Sequence, residues 1–253
     1  MLTTEDLTIR FGGHAAVDGV TCAFHPGTLT SIVGPNGAGK TTYFNLISGQ
    51  LPATSGRVHL NGEDITGYAA PRRARLGLGR AFQLTNLFPN LTALENVRLA
   101  VQVKSGEGLD LLSRTSRHRE LTDRAMEHLT AVSLGGRAQA VAATLPHGDQ
   151  RKLEVAILLA LEPDIFMFDE PTAGMSIDEV PTILDIIAAI KLRGDKTILL
   201  VEHKMDVVRS LSDRIVVLHQ GKLVADGVPA EVINSDVVRE AYLGGPTETG
   251  GHG

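Results

Sequence analysis

Residues 34–42 read GPNGAGKTT and match the pattern G-x-x-x-x-G-K-[ST]. Glycines allow backbone N–H groups to curve around a phosphate, and the helix that follows adds the positive end of its dipole. In this pattern the lysine reaches the β- and γ-phosphates of a nucleotide, and the Ser/Thr hydroxyl ligates Mg²⁺. The segment also follows a strand-like run and precedes a helical pattern, as this chemistry requires. We therefore expect a nucleotide to be held by Gly34, Pro35, Asn36, Gly37, Ala38, Gly39, Lys40, Thr41 and Thr42.

A second chemical signal is a pair of carboxylates at the end of an apolar run. Ile165 to Phe168 are followed directly by Asp169 and Glu170. A buried strand would carry Asp169 to the carboxyl edge of the sheet, where ligands of open α/β sheets bind. Asp169 is then expected in the Mg²⁺ shell. Glu170 points differently, so we expect it to orient or deprotonate an attacking water.

Strand-like runs alternate with helical patterns in the first and last thirds of the chain, which predicts an α/β fold with a mostly parallel, helix-covered sheet. A helical block at about 84–160 interrupts the alternation and is expected to be an inserted subdomain of one domain spanning 2–243. Residues 244–253 are glycine-rich and polar, so a disordered tail is expected. Strands are predicted at 7–11, 20–24, 29–33, 57–60, 64–66, 165–168, 197–201 and 214–218, with a tight hairpin turn at Asn61-Gly62. Helical structure is predicted at 40–48, over most of 91 to about 134, and at 150–161, 177–192 and 205–210.

Composition narrows the class of protein. The 253 residues carry a net charge of -5, which argues against a nucleic-acid partner. The single cysteine, Cys22, excludes an internal disulfide framework and is expected to be a small buried hydrophobe. Glu5 and Asp6 stand where a signal peptide has its basic region, so we expect none. No apolar run reaches the ~20 residues of a spanning helix, so any work at a membrane needs a docking partner.

Together these motifs resemble those of the ABC ATPase family over about residues 2–243. The resemblance implies a P-loop NTPase sheet core, mostly parallel, with an antiparallel β subdomain and an inserted helical subdomain. GPNGAGKTT resembles the Walker A loop, and IFMFDEPT resembles Walker B with Glu170 in the catalytic position. The resemblance implies that Gln83, in RAFQ, is the Q-loop glutamine, a catalytic residue and a ligand of Mg²⁺ beside Thr41 and Asp169. It also implies that His203 contacts the γ-phosphate and that Phe11 stacks on adenine. The D-loop is expected at 173–176.

The family's signature, LSGGQ in its common form, is altered here. Residues 145–151 read LPHGDQR, so Gly148 keeps the second glycine while His147 and Asp149 replace the first glycine and the glutamine. We name residues 145–151 the signature segment and expect His147, Gly148 and Asp149 to meet the nucleotide. This form of the segment is similar to that of the ATPases of branched-chain amino acid importers. Four further runs show the same similarity, namely LENV at 94–97, AGM at 173–175, LSDRI at 211–215 and AYLG at 241–244. The resemblance is to the longer of that importer's two ATPase subunits.

The resemblance implies a head-to-tail pair of ATPase subunits, formed with a related second subunit or with another copy. Partners would be hydrophobic permease subunits and, indirectly, an extracytoplasmic solute-binding protein. The chain would lie peripherally on the cytoplasmic face of the cell membrane. A urea or short-amide importer and a lipopolysaccharide exporter remain alternatives, because the solute pocket is on other chains. A DNA-acting ATPase of the same type would need a long coiled coil, and no sustained heptads are present.

Overall fold

The computed structural model describes residues 1–81, 87–106, 115–236 and 238, without the side chains of 115–118. The predicted disordered tail lies outside these ranges. The chain forms two compact units, unit 1 at Met1–Arg73 with Leu199–Gly253 and unit 2 at Ala74–Ile198. The predicted helical block, 84–160, falls within unit 2. One domain over 2–243 stays a prediction.

Among the described residues, strands and helices occur together in the first and last thirds of the chain, and helices alone follow one another in the predicted helical block at 84–160. The strands are β1 Leu2–Phe11, β2 His14–Phe24, β3 Leu29–Val33, β4 Ser55–Leu60, β5 Glu63–Asp64, β6 Leu78–Ala81, β7 Ile165–Asp169, β8 Thr197–Val201, β9 Arg214–His219 and β10 Lys222–Gly227. The helices are α1 Lys40–Ser48, α2 Ala70–Arg75, α3 Ala93–Lys104, α4 Thr115–Ala131, α5 His147–Leu161, α6 Val180–Leu192, α7 Met205–Leu211 and α8 Pro229–Val232.

Unit 1 contains an antiparallel sheet and a mostly parallel one. The antiparallel sheet has the order β2-β1-β4-β5, and Asn61 and Gly62, with φ of 52° and 86°, form its predicted tight turn. In the other sheet β10, β9, β3 and β8 lie side by side, with β3 and β9 parallel. All five residues of β3 are buried, as expected for a strand covered on both faces. Cys22 is buried as predicted.

Unit 2 combines a parallel strand pair with helices. β6 and β7 pair in parallel from Leu78 opposite Ile165 to Ala81 opposite Phe168. The first residue of β8 continues this arrangement, since the Thr197 N–H donates to the Asp164 carbonyl at 3.0 Å. Helix α3 packs against α4 and α5. The prediction of an α/β fold with a mostly parallel sheet, an antiparallel β part and a helical part is confirmed.

Two predicted helix starts are wrong. The third helix was expected at Gln150 but α5 begins at His147, because Gly148 weakens the local helical pattern while Asp149 favours a first turn. The fourth was expected at Ile177 but α6 begins at Val180. A start at Ile177 would place Pro181 inside the helix, where proline is disfavoured, whereas the observed start puts it in the first turn.

A buried arginine closes the end of α1, the helix that begins at the glycine-rich loop. Arg73 is 2% exposed, and its Nη1 donates to the carbonyls of Leu46 and Ile47 at 2.8 and 2.6 Å. Its Nε and Nη2 donate to the carbonyls of Tyr68 and Thr66, both at 2.8 Å. The last carbonyls of a helix have no partner within the helix, so this side chain satisfies them from outside. Burial lowers the pKa of Arg73 to about 10, which leaves it charged at neutral pH.

We expect Arg73→Met to lower the free energy of unfolding by about 2–4 kcal/mol, because it leaves buried carbonyls without donors. Urea unfolding followed by circular dichroism measures the change. Arg75→Met, which removes an exposed charge from the same helix, should change stability by no more than about 0.5 kcal/mol. Equal effects of the two variants would contradict the role assigned to Arg73.

Candidate functional site

The glycine-rich loop of unit 1 depends on close backbone packing. Gly34 has a φ of 151°, and a Cβ there would lie 2.1 Å from the Leu218 carbonyl oxygen. Gly39 has a φ of 97°, and its Cβ would lie 2.3 Å from the Ala16 carbonyl oxygen. Neither position accepts a side chain without moving the backbone of a neighbouring strand. The two glycines are therefore required by the fold of this loop itself.

The lysine of the loop points inward. Lys40 is 6% exposed, and its Nζ donates to the carbonyls of Gly34 and Pro35 at 2.7 and 2.9 Å. Lys40 is also the first residue of α1, whose N-cap is Gly39 with no side-chain cap. The first amides of a helix have no carbonyl acceptor within the helix. In this loop those amides and the Lys40 ammonium lie in one short segment. A positive charge and backbone donors are grouped as an anion requires.

His203 is held by the residue before it. Glu202 follows β8 and is 3% exposed. Its Oε2 accepts from the backbone N–H groups of His203 and Lys204 at 2.9 and 3.2 Å. These bonds fix the turn after β8, while the His203 side chain is exposed. Sequence reasoning missed Glu202, although a carboxylate directly after an apolar strand was a usable signal.

Phe11 ends β1 and opposes His14 across the turn to β2. Its side chain is 53% exposed, so core packing does not account for an aromatic residue at this position.

Gln83, predicted as a catalytic residue and metal ligand, lies outside the described residues.

In unit 2, Asp169 ends the buried strand β7 as predicted. Its Oδ2 accepts from the Arg80 guanidinium at 2.6 Å, and the two side chains are 0% and 4% exposed. Burial raises the pKa of the Asp169 carboxyl, and the Arg80 charge opposes that rise. The other oxygen, Oδ1, is buried and has no hydrogen-bond partner among the described residues. Arg80 was missed from sequence, although a charge inside the apolar strand β6 signals a buried partner.

Glu170 occupies an unusual backbone conformation. Its φ is 50°, in the left-handed region that non-glycine residues rarely adopt. Strain of this kind persists where the surrounding structure imposes it, and it is common at functional sites. Asp169 is buried, whereas Glu170 directly after it is half-buried.

The signature segment begins α5. His147 is exposed, whereas Gly148 and Asp149 are buried within the first turn. Asp149 forms ion pairs with Lys152 at 3.1 Å and with Arg137. Lys152 also contacts Glu179, which precedes α6, at 2.9 Å. Neither Lys152 nor Glu179 was singled out from sequence, although Ser176 and Glu179 fit the S-x-x-E spacing of a helix start.

The predicted site residues therefore fall into two groups. Unit 1 holds Phe11, the loop at 34–42 and His203, and unit 2 holds Asp169, Glu170 and residues 147–149. Within the described ranges, no helix combines the length and apolar character that a bilayer crossing needs.

Comparison with known proteins identifies the family. Residues 17–173 match the model of the ABC transporter family, and residues 222–247 match that of the branched-chain amino acid ATP-binding cassette transporter. The chain is 39% identical over 249 residues to the high-affinity branched-chain amino acid transport ATP-binding protein LivG of Escherichia coli K12. It is 40% identical over 249 residues to BraF of Pseudomonas aeruginosa, a protein of the same description. Each alignment covers 96% of this chain and 98% of the relative.

A solved structure with the same fold adds information on assembly. It is the dimeric structure of a post-hydrolysis state of an ATP-binding cassette bound to ADP and phosphate. The two chains share 26% identity and a TM-score of 0.78, over 90% of this chain and 99% of the other. The whole-length relatives and the family match over most of the chain agree with the motifs described above. The chain belongs to the ABC transporter family as an ATP-binding subunit that hydrolyses ATP.

Proposed function

We propose that this chain powers an importer of branched-chain amino acids from the cytoplasmic face of the membrane. The observation that carries the proposal is the match of residues 222–247 to the branched-chain amino acid cassette model. The names of LivG and BraF, which align with this chain over 249 residues, support the same solute class. Partners would be permease subunits, a second related ATPase subunit or another copy of this chain, and indirectly an extracytoplasmic solute-binding protein.

The alternative solutes are urea or short amides for an importer and lipopolysaccharide for an exporter. Neither is named by the relatives described above. A DNA-acting role is opposed by the net charge of -5. The importer of branched-chain amino acids is therefore the function that the combined observations support best.

In the proposed reaction the loop at 34–42 binds the phosphates of ATP. Lys40 would exchange its two loop carbonyl partners for β- and γ-phosphate oxygens, which are stronger partners because the bond is then between opposite charges. The amides at the start of α1 add donors to the same anion. Phe11 would provide an exposed aromatic face for adenine. His203, on the turn held by Glu202, would contact the γ-phosphate.

The residues present fit a magnesium ion. Asp169 Oδ1 is a buried carboxylate oxygen without a hydrogen-bond partner among the described residues, and Mg²⁺ prefers oxygen ligands. Thr41 and Gln83 remain the other predicted ligands of this ion. When bound, Mg²⁺ neutralises charge on the β- and γ-phosphates. Arg80 keeps Oδ2 occupied, so that Oδ1 is the oxygen left for the ion.

Glu170 would act on the attacking water. Its backbone has a φ of 50°, a strained conformation of the kind common at functional sites. It would accept a hydrogen bond or a proton from the water that attacks the γ-phosphate. The signature segment would cover the ATP held by a partner ATPase subunit, so that two subunits complete each site.

The first experiment tests the solute. Deletion of the gene for this chain should abolish high-affinity uptake of radiolabelled leucine and leave urea uptake unchanged. The wild-type gene should restore leucine uptake, and Glu170→Gln should not restore it although the protein accumulates to the same level. Loss of urea uptake with leucine uptake intact would replace the proposed solute.

The second experiment concerns the adenine platform. An aromatic face stacked on a base contributes roughly 1–3 kcal/mol, so Phe11→Ala should weaken nucleotide binding about 5- to 150-fold. Phe11→Tyr should preserve affinity, because it keeps the ring. Fluorescence titration measures affinity, with Lys40→Ala as the control that abolishes tight binding. Wild-type affinity in Phe11→Ala would remove this residue from the site.

The third experiment separates binding from hydrolysis. Glutamine at 170 keeps the shape of the side chain but cannot accept a proton, so Glu170→Gln should slow phosphate release by ~10²–10⁴-fold while ATP binding survives. Size-exclusion chromatography with Mg-ATP should then show an accumulated dimer. Asp169→Asn should instead weaken Mg²⁺-dependent ATP binding. Turnover of Glu170→Gln at the wild-type rate would refute the catalytic assignment.

A further inference from the structure

An ion pair in unit 2 joins helix α5, which contains most of the signature segment in its first turns, to the segment between β7 and α6. Lys152, one turn into α5, donates from Nζ to Glu179 Oε1 at 2.9 Å and to Asp149 Oδ1 at 3.1 Å. The Lys152 and Glu179 side chains are 10% and 27% exposed, so this is a mostly desolvated contact rather than a loose surface pair. It connects two segments that are 27 residues apart in the chain.

Glu179 bonds the loop with its other oxygen. Oε2 accepts from the Ser176 backbone N–H at 3.1 Å and from the Ser176 hydroxyl at 3.0 Å. One carboxylate therefore holds α5 on one side and the end of loop 173–176 on the other. The Lys152 bond, followed by the Ser176 bonds, lowers the pKa of Glu179 to about 2. Glu179 consequently remains charged throughout the neutral range.

The Glu179 carboxylate lies close to Gly148 of the signature segment. A Cβ on Gly148 would lie 2.4 Å from Glu179 Oε2 and 2.6 Å from Oε1, so any side chain would displace the carboxylate. A second approach occurs nearby, where a Cβ on Gly174 would lie 3.0 Å from His147 Cε1. The segment 173–179 thus contacts the first turn of α5 at two points, through Gly174 against His147 and through Glu179 against Gly148.

Asp149 belongs to the same network. It stands where the common signature has glutamine, and its two carboxylate oxygens are bonded to Lys152 and Arg137. These bonds lie within one subunit, so the carboxylate is used to order the start of α5. The altered residue of the signature and the unassigned Lys152 and Glu179 form one chain of charges, Arg137–Asp149–Lys152–Glu179.

We propose that Lys152 and Glu179 are positioning residues that hold Gly148 and loop 173–176 together as one element. The proposal rests on the proposed function, in which the signature segment covers the ATP of a partner subunit. With the Lys152–Glu179 pair intact, the signature segment and loop 173–176 move together. Without it, ATP still binds to the loop at 34–42, but the segment that covers ATP in the partner is displaced and turnover falls.

The decisive variant is Lys152→Met, which removes the bond between the two segments and leaves the Glu179–Ser176 bonds in place. Turnover at saturating ATP should fall roughly tenfold, the change that 1.36 kcal/mol produces in a rate. Nucleotide affinity of the dilute protein should stay within about twofold. Lys152→Arg keeps the charge and should restore most of the rate. Arg193→Met, which breaks an exposed ion pair of the same unit, is the matched control and should change neither quantity.

Two further measurements separate positioning from simple destabilisation. Lys152→Met should speed amide hydrogen exchange at both 147–152 and 173–179 in the monomer, and Arg193→Met should not. The double variant Lys152→Met/Glu179→Gln should be no slower in turnover than the worse single variant, because coupled residues are not additive. Unchanged exchange in both segments, additive rate losses, or a parallel loss of nucleotide affinity would each overturn the proposal.

Failure of the proposed function would give different experimental results. If the transported solute is not leucine, the result of the uptake experiment changes, whereas turnover, nucleotide affinity and amide hydrogen exchange of the variants do not. A protein whose Glu170→Gln variant never associates with any ATPase subunit would refute the covering role in the partner. The exchange comparison, made on the monomer, would still decide whether Lys152 and Glu179 hold the two segments together.

Discussion

The nucleotide loop depends on backbone contact that leaves no room for side chains. Gly34 lies against the Leu218 carbonyl of β9, and Gly39 lies against the Ala16 carbonyl of β2. Strands from both sheets of unit 1 therefore define the path of the loop, and the loop in turn fixes where α1 begins and where Lys40 points. The far end of α1 is fixed as well, because Arg73 bonds its last carbonyls. The anion-binding helix is held at both ends by groups outside it.

The buried charges described above bond either to an opposite charge or to backbone carbonyls and amides, as the cost of desolvation requires. Two of these contacts lie at predicted site residues. Arg80 occupies one oxygen of Asp169 and leaves the other without a partner among the described residues. The Glu202 carboxylate accepts hydrogen bonds from two backbone amides, and the His203 side chain on the same turn is exposed. Charges that take no part in chemistry thus decide the orientation of the groups that do.

Features with a strong local signal were predictable from sequence. The glycine-rich loop, the apolar strand before Asp169 and the turn at Asn61 and Gly62 each require particular residue types in consecutive positions, so reading the chain locally finds them. The helix starts were less predictable, since Gly148 weakens a helical pattern that packing nevertheless completes. The pairs Arg80–Asp169 and Lys152–Glu179 could not be predicted as pairs. Their partners are far apart in the chain, and only the folded backbone brings them within bonding distance.

In the altered signature segment, Asp149 at the glutamine position changes which bonds the neighbouring residues form. Glutamine at position 149 would be neutral, whereas Asp149 introduces a buried negative charge that needs a cation. Lys152, one turn later, supplies it, and an ammonium with three donors can also reach Glu179. Glu179 approaches only because Gly148 has no side chain. Gly148 and the charge beside it are therefore linked within this chain by packing, before any nucleotide or partner subunit is considered.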